Sequence, residues 1–361
     1  MVQPSFYFYS FMKLKVLFAV LNWGLGHATR SETLIKYLSK RGFYVTIASS
    51  GLALEYLKLQ FPTNDFLELP DRDVIYSRAG ASIGLFKRAI IQKELNKKQN
   101  DWTQTQLKKG DFDIILSDNV YGVHSSEIFS VLITHQLKPL SPLFQGKIME
   151  EIADWVNRFD EVWIPDFEGE AIAGEMLNNP QIQIPKQFLG NTSRFSGLSA
   201  IKDINFLGII SGPEPLAGAF NEIVLKKFQS SASSRNTIAY SGEIPKETGE
   251  VEFAELNDNQ NLNQLASRSQ FIICRSGFTS LLDILKIKGN ALIVPTPGQP
   301  EQAYLAQRML ELKLTHSISQ RGFKRAELKP FDQCTIDDKW SVSNLDKVIN
   351  RFLKTRMPSA E

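Results

Sequence analysis

Cysteine is scarce. Cys274 and Cys334 are the only two in 361 residues, so no disulfide framework holds the fold and a reducing cytoplasm is the simpler setting. Histidine is nearly as rare: His27, His124, His135 and His316 complete the set. Together with the two thiols they stand at spacings that fit no zinc template, so no metal site is expected. Charge of one sign is also missing, with 41 Lys and Arg against 39 Asp and Glu and a net charge of +2. Without interleaved basic and aromatic residues, that balance leaves no footprint for a nucleic acid. No apolar stretch reaches the roughly 18 residues that a membrane span requires. The aromatic run at Phe6 to Phe11 has no cationic leader before it and no small-residue cleavage site after it, so it is not read as a signal peptide. Met12-Lys13-Leu14-Lys15 is the more ordinary start for a first strand, and residues 1–11 are expected to be an upstream mis-start or a tail.

What is present is an ordinary globular composition, 43% hydrophobic and 22% charged, on a chain long enough for two cores rather than one. Strand and helix patterns alternate through both halves, which predicts an α/β protein with two doubly wound parallel sheets facing a cleft. The segment Gln187 to Ser199 is rich in Gly, Ser and Asn and is the expected hinge. The boundary is placed near Phe195, giving one domain over 12–195, a second over 196–340 and a terminal segment over 341–361. Within the hinge, Asn191-Thr192-Ser193 matches a glycosylation acceptor by chance.

Two motifs carry chemistry. In the second half, Phe271 to Cys274 reads as a buried strand, and Arg275-Ser276-Gly277-Phe278-Thr279 follows at its C-terminal end, where a parallel sheet places ligands. Leu281, Leu282 and Leu285 then form a helical stripe. A helix opening there turns free N–H groups and its positive dipole end toward an anion, for which a diphosphate is the natural guest. Asp283 lies one to two turns further on, within reach of two vicinal ribose hydroxyls. The strand Ala291 to Val294 ends in the stiff loop Pro295 to Pro300, which delivers Glu301 and Gln302 to read sugar hydroxyls. In the first half, Lys13 to Leu21 is a strand, Asn22-Trp23-Gly24-Leu25-Gly26-His27 a glycine turn, and Arg30 to Lys40 a helix. The turn lacks the third glycine and the later acid of a dinucleotide site.

The second motif resembles the donor-binding signature of family 28 glycosyltransferases, two-domain GT-B enzymes that use UDP-sugars, typified by the lipid II N-acetylglucosaminyltransferase. Arg275, Gly277, Thr279, Asp283, Glu301 and Gln302 are the matching positions, with Asp where the family usually has Glu. GLGHATR is similar to the N-terminal glycine loop of GT-B enzymes, including Gly24, Gly26 and His27. The resemblance implies metal-independent sugar transfer, with the nucleotide sugar as substrate rather than cofactor. It also implies a small glycine loop near the diphosphate, for which Ser211-Gly212 and Ser241-Gly242 are the candidates. A last helix over about Val342 to Lys354 would pack back on the first domain.

Inverting transfer needs a base for the acceptor hydroxyl, and a neutral imidazole titrates in the right range. His27 is the candidate base. Asp118, at the tip of the strand Phe112 to Leu116, would orient it, as UDP-glycosyltransferases pair a His and an Asp; capping a short helix from Tyr121 is the alternative for Asp118. His135 ends a further strand and reads either as an acceptor contact or as a residue that satisfies the cleft, while His124 and His316 have no evident partners. The acceptor is an unspecified hydroxyl, lipid-linked or a cell-envelope precursor. The apolar and basic stretch Gly84 to Lys98 suits either an anionic membrane surface, making the protein peripheral at its inner face, or a core-packed helix with a solvated basic side. Two other readings stay open, a nucleotide-sugar epimerase on the same fold and a non-catalytic nucleotide-sugar-binding protein.

Overall fold

The computed structural model describes residues 14–71, 85–141, 144–198, 200–231 and 235–356. The expectation for residues 1–11 lies outside the described residues. The first sheet comprises β1 (Lys15–Val20), β2 (Tyr44–Ser49), β3 (Phe66–Glu68), β4 (Ile114–Asp118), β5 (Phe129–Ile133), β6 (Glu161–Ile164) and β7 (Lys186–Phe188). Its spatial order is β3-β2-β1-β4-β5-β6-β7, and every neighbouring pair runs parallel. The helices of this half are α1 (Gly26–Lys40), α2 (Gly51–Gln60), α3 (Leu85–Lys109) and α4 (Gln145–Val156).

The second sheet comprises β8 (Ile204–Ile209), β9 (Asn236–Ala239), β10 (Glu252–Ala254), β11 (Ser269–Cys274), β12 (Ala291–Ile293) and β13 (His316–Ser317). Its order is β10-β9-β8-β11-β12-β13, again all parallel. Helices α5 (Leu216–Gln229), α6 (Asn259–Arg268), α7 (Phe278–Ile287), α8 (Pro300–Glu311) and α9 (Gln320–Arg325) accompany it, and α10 (Leu345–Arg356) is the last helix. The chain is therefore α/β and doubly wound twice. In both sheets the winding direction reverses beside the first strand, between β1 and β4 and between β8 and β11.

The central strands read as unbroken apolar runs because both of their faces are covered. Val16 to Val20 and Ile114 to Asp118 are buried along their whole length. The last helix does not stay with the second sheet. Leu345, Val348, Ile349 and Phe352 join the core formed by β1, β2 and α1, where each buried side chain contributes about 1.5–3 kcal/mol. Arg351 adds a fork onto Glu161 with both distances at 2.7 Å. In the opposite direction, Ile172, Ala173 and Met176, which follow β6, enter the core under β11 and α7. Each half thus lends a segment to the other.

α3 packs on the first half through Leu95, Asn96, Gln99 and Thr103, all buried, while Ile91 is exposed. The side chains of 85–90, on which much of the membrane reading rested, lie outside the described residues. No helix among the described residues is long and apolar enough to cross a membrane. The glycosylation match is buried and structural: Asn191 donates through Nδ2 to the Leu282 and Trp340 carbonyls at 3.0 and 2.9 Å.

Candidate active site

Both reversal points open on the same cleft, and their chemistry differs. At the first, β1 and β4 pair in register with Val20 beside Asp118, so the turn after β1 and the tip of β4 are neighbours. Gly24 holds a φ of +64°, a left-handed conformation that glycine adopts without strain. The turn then places His27 in the first turn of α1. Its Nδ1 lies 2.8 Å from Asp118 Oδ1. Arg30 Nη2 lies 2.8 Å from the same nitrogen, and since a carboxylate only accepts and a guanidinium only donates, the two contacts favour opposite tautomers; the Asp118 contact is the one that would put the proton on Nδ1 and leave Nε2 free. The alternative role for Asp118 falls away, because residues 119–127 are bends, a turn and irregular chain, and no helix begins at Tyr121.

Asp118 is fully buried and saturated with donors. Arg30 Nε and Ser31 Oγ reach Oδ2 at 2.8 and 2.7 Å, and Arg30 Nη2 also donates to Oδ1. Burial by itself would raise this carboxyl, but the Arg30 charge and then His27 outweigh it and hold it well below the usual carboxylate range. His27 is moved below its ordinary 6.5, first by burial and then by Arg30, against the pull of Asp118. The site therefore holds a neutral imidazole beside an ionised acid.

His135, two residues beyond β5, lies in the same network. Its Nδ1 is 3.0 Å from Arg30 Nη1 and its Nε2 is 3.0 Å from Glu301 Oε1. Because Arg30 can only donate, Nδ1 accepts and the proton sits on Nε2, directed at the carboxylate. The ring stacks on Phe278 with centroids 3.9 Å apart and planes at 13°. His135 thus spans the two halves, which agrees with its reading as a cleft residue.

At the second reversal point the turn after β11 is closed by glycine. Gly277 caps α7 with extended backbone, and a Cβ there would meet nothing within 4 Å. The helix begins at Phe278. Thr279 Oγ1 donates to the Gly26 carbonyl at 3.0 Å, so the N-termini of α7 and α1 meet across the cleft. Two positive helix ends facing one gap favour an anion between them. Ser211 and Gly212 follow β8, beside β11 in the sheet, and Gly212 holds a φ of +112°.

Several side chains assigned to the donor are committed elsewhere. Arg275 is 4% exposed and turns into the core, with its guanidinium 3.7 Å above the Phe220 ring and Nη1 3.1 Å from the Val294 carbonyl. Burial pushes it down to about 10, so it stays charged at neutral pH as a brace and is not presented to a phosphate. Asp283, expected at the ribose, instead accepts from the Ser193 hydroxyl and lies 3.6 Å from Arg194. Its short stem leaves it among buried groups, and burial raises it to about 6. Gln302 is held inside its own loop, donating to Gln299 Oε1 at 2.7 Å and accepting from the Thr296 N–H at 2.9 Å. The Ser276 hydroxyl donates to the Gln302 carbonyl at 2.7 Å. Ser241 donates to Glu255, and Gly242 lies against the Tyr240 ring, where any Cβ would collide. Glu301 alone of the expected sugar readers faces the cleft, with 37% of its side chain exposed.

The residues that the motifs did not single out are Arg30 and a polar brace across the halves. Glu32 is 2% exposed and accepts from Tyr56 at 2.5 Å and from Asn259 Nδ2 at 2.6 Å, while Arg194 Nη1 donates to Asn259 Oδ1 at 2.5 Å. The spacing of His27 and Arg30, three apart on one helix, is the signal that points to Arg30.

No protein-family model and no curated protein matches this sequence. Solved structures do. Arabidopsis thaliana UGT89C1, determined with UDP-L-rhamnose, is 12% identical, with a TM-score of 0.62 over 96% of this chain and 95% of that one. The spinosyn rhamnosyltransferase SpnG, determined with thymidine diphosphate, is 13% identical, with a TM-score of 0.60 over 96% and 94%. MurG of Acinetobacter baumannii is 12% identical, with a TM-score of 0.55 over 94% and 92%. The chain has the GT-B fold. The two-sheet reading of the sequence is borne out, and the match runs through nearly the whole of each chain.

Proposed function

We propose that this GT-B protein is an inverting, metal-independent glycosyltransferase that moves a sugar from a nucleotide diphosphate, UDP-linked, to a hydroxyl acceptor. One observation carries the reading: His27, with Nδ1 2.8 Å from Asp118, lies on the turn that meets the N-terminus of α7, and with its Nδ1 proton directed at Asp118 the Nε2 atom is free to accept. The nucleotides named with two of the similar structures, UDP-L-rhamnose and thymidine diphosphate, support a nucleotide-diphosphate donor.

In this reading the pyrophosphate lies against the N–H groups of 277–279, with the glycine loop at Gly212 beside it. His27 Nε2 takes the acceptor proton as the hydroxyl oxygen attacks the anomeric carbon, and the bond to the diphosphate breaks on the opposite face. Asp118 stabilises the imidazolium that forms. The leaving diphosphate meets helix N–H groups rather than a cation. Glu301 exchanges His135 for a sugar hydroxyl. The protein works in the cytoplasm, at or near a membrane where the acceptor is lipid-linked.

Incubation with a panel of UDP- and TDP-sugars tests this. Slow release of free UDP, abolished in His27→Ala with UDP affinity kept within about twofold, is the expected result. Interconversion of the donor sugar would point to an epimerase. Tight binding with no turnover of any donor would leave a binding protein.

A further inference from the structure

Arg30 is 3% exposed and makes every polar contact of its guanidinium within the site. Nε and Nη2 fork the Asp118 carboxylate, Nη2 also lies 2.8 Å from His27 Nδ1, and Nη1 reaches His135 Nδ1 at 3.0 Å. With the Ser31 hydroxyl, Asp118 then accepts from three donors, two on Oδ2 and one on Oδ1. An arginine spent only on filling the core would not need to touch three titratable side chains.

We propose that Arg30 is the positioning residue of this site, holding in place the Asp118 carboxylate that orients His27 and tying His27 through His135 to Glu301 on the opposite sheet. The inference rests on the reading of His27 as the base. Two physical consequences follow. The first is charge balance: Asp118 alone would draw a proton onto the imidazole, whereas a carboxylate already forked by a guanidinium leaves His27 free to stay neutral. The direction of the His27 shift agrees, with Arg30 lowering and Asp118 raising it. The second is orientation. By donating to His135 Nδ1, Arg30 sends the His135 proton to Nε2 and thence to Glu301, so the group expected to meet the sugar and the group expected to take the proton share one hydrogen-bonded chain.

The charged and titratable groups facing His27 are Arg30 on its own helix, Asp118 on β4, His135 beyond β5 and Glu301 on α8. The Tyr121 phenol lies close enough to Arg30 to sense its charge. None but Arg30 is a permanent cation.

Because the chain has only four imidazoles, histidine-labelled protein followed by NMR against pH reads each of them without any substrate. In Arg30→Gln, His27 should titrate upward by about one unit or more, and the acid limb of donor turnover should move with it while the donor KM changes less than about threefold. Arg30→Lys, which keeps the charge and loses the fork, should leave the His27 titration low but lose the Nε2–H signature of His135 and lower kcat about tenfold. A folded Arg30→Gln protein whose His27 titrates as in the wild type overturns the proposal. Should Arg30→Gln not fold, an unchanged His135 tautomer in Arg30→Lys does the same. Failure of the wild type to turn over any UDP- or TDP-sugar would sink the base assignment instead, and the two imidazole titrations would still decide what Arg30 does.

Discussion

The two reversal points occupy the same place in their sheets and are built from opposite materials. Between β1 and β4 the working groups are side chains: His27, Asp118, Arg30 and His135 form one network with most contacts at 2.7–3.0 Å. Between β8 and β11 the side chains turn away and the backbone is left facing the cleft, with Arg275 over Phe220, Asp283 on Ser193, and Gly277 open at the helix end. A proton must be taken at one defined atom, which needs a held side chain. A diphosphate spreads its charge over several oxygens, which a row of N–H groups can meet without side chains at all.

That contrast can be broken at either end. The largest effect is expected from Asp118→Asn, which keeps the shape of the site and loses the tautomer: turnover should fall roughly 10³–10⁴-fold with nucleotide affinity unchanged, as read by release of UDP and by calorimetry. A comparable loss of affinity would mean that the first reversal point binds the donor. Arg275→Met comes next. Removing a buried cation with its hydrogen bonds should cost about 3 kcal/mol in denaturant unfolding, while UDP affinity in the folded protein stays within about twofold; a selective loss of affinity would return Arg275 to the phosphate.

Asp283→Asn isolates the buried carboxyl. With its folded value raised from 3.8 to about 6, the native state holds a proton that the unfolded chain has released. The favourable contribution is present below 3.8 and lost as pH rises through 6. The variant, which does not titrate, should therefore gain on the wild type by on the order of 2 kcal/mol between pH 4 and pH 8. A parallel pair of stability curves would contradict that account. The smallest effect is expected from Gly277→Val. A side chain standing over the helix end should weaken UDP roughly tenfold and leave the melting temperature within about 2 °C, whereas unaltered affinity would free the α7 N-terminus from any role.

Much of this was legible from the letters. The alternation of apolar strands with helical stripes gives both sheets, because fully covered parallel strands must be apolar throughout, as at Val16 to Val20 and Phe271 to Cys274. The edge strands β3, β7, β10 and β13, each of two or three residues, are too short to carry a period and were not legible. His27 and Asp118 could be paired because parallel topology puts both at one sheet edge. The turns of Arg275, Asp283 and Gln302 into the protein were hidden, since a motif fixes which residue follows a strand but not which way its side chain points. Arg30 lay in plain view in GLGHATR. Its part in the site depends on two partners, Asp118 and His135, that are 88 and 105 residues away.

The most direct test is a crystal structure with UDP bound at saturating concentration. The account predicts pyrophosphate oxygens within hydrogen-bond distance of the backbone N–H groups of 277–279, on the side of α7 that faces His27. A UDP molecule bound elsewhere, with the N-terminus of α7 unoccupied, would contradict it.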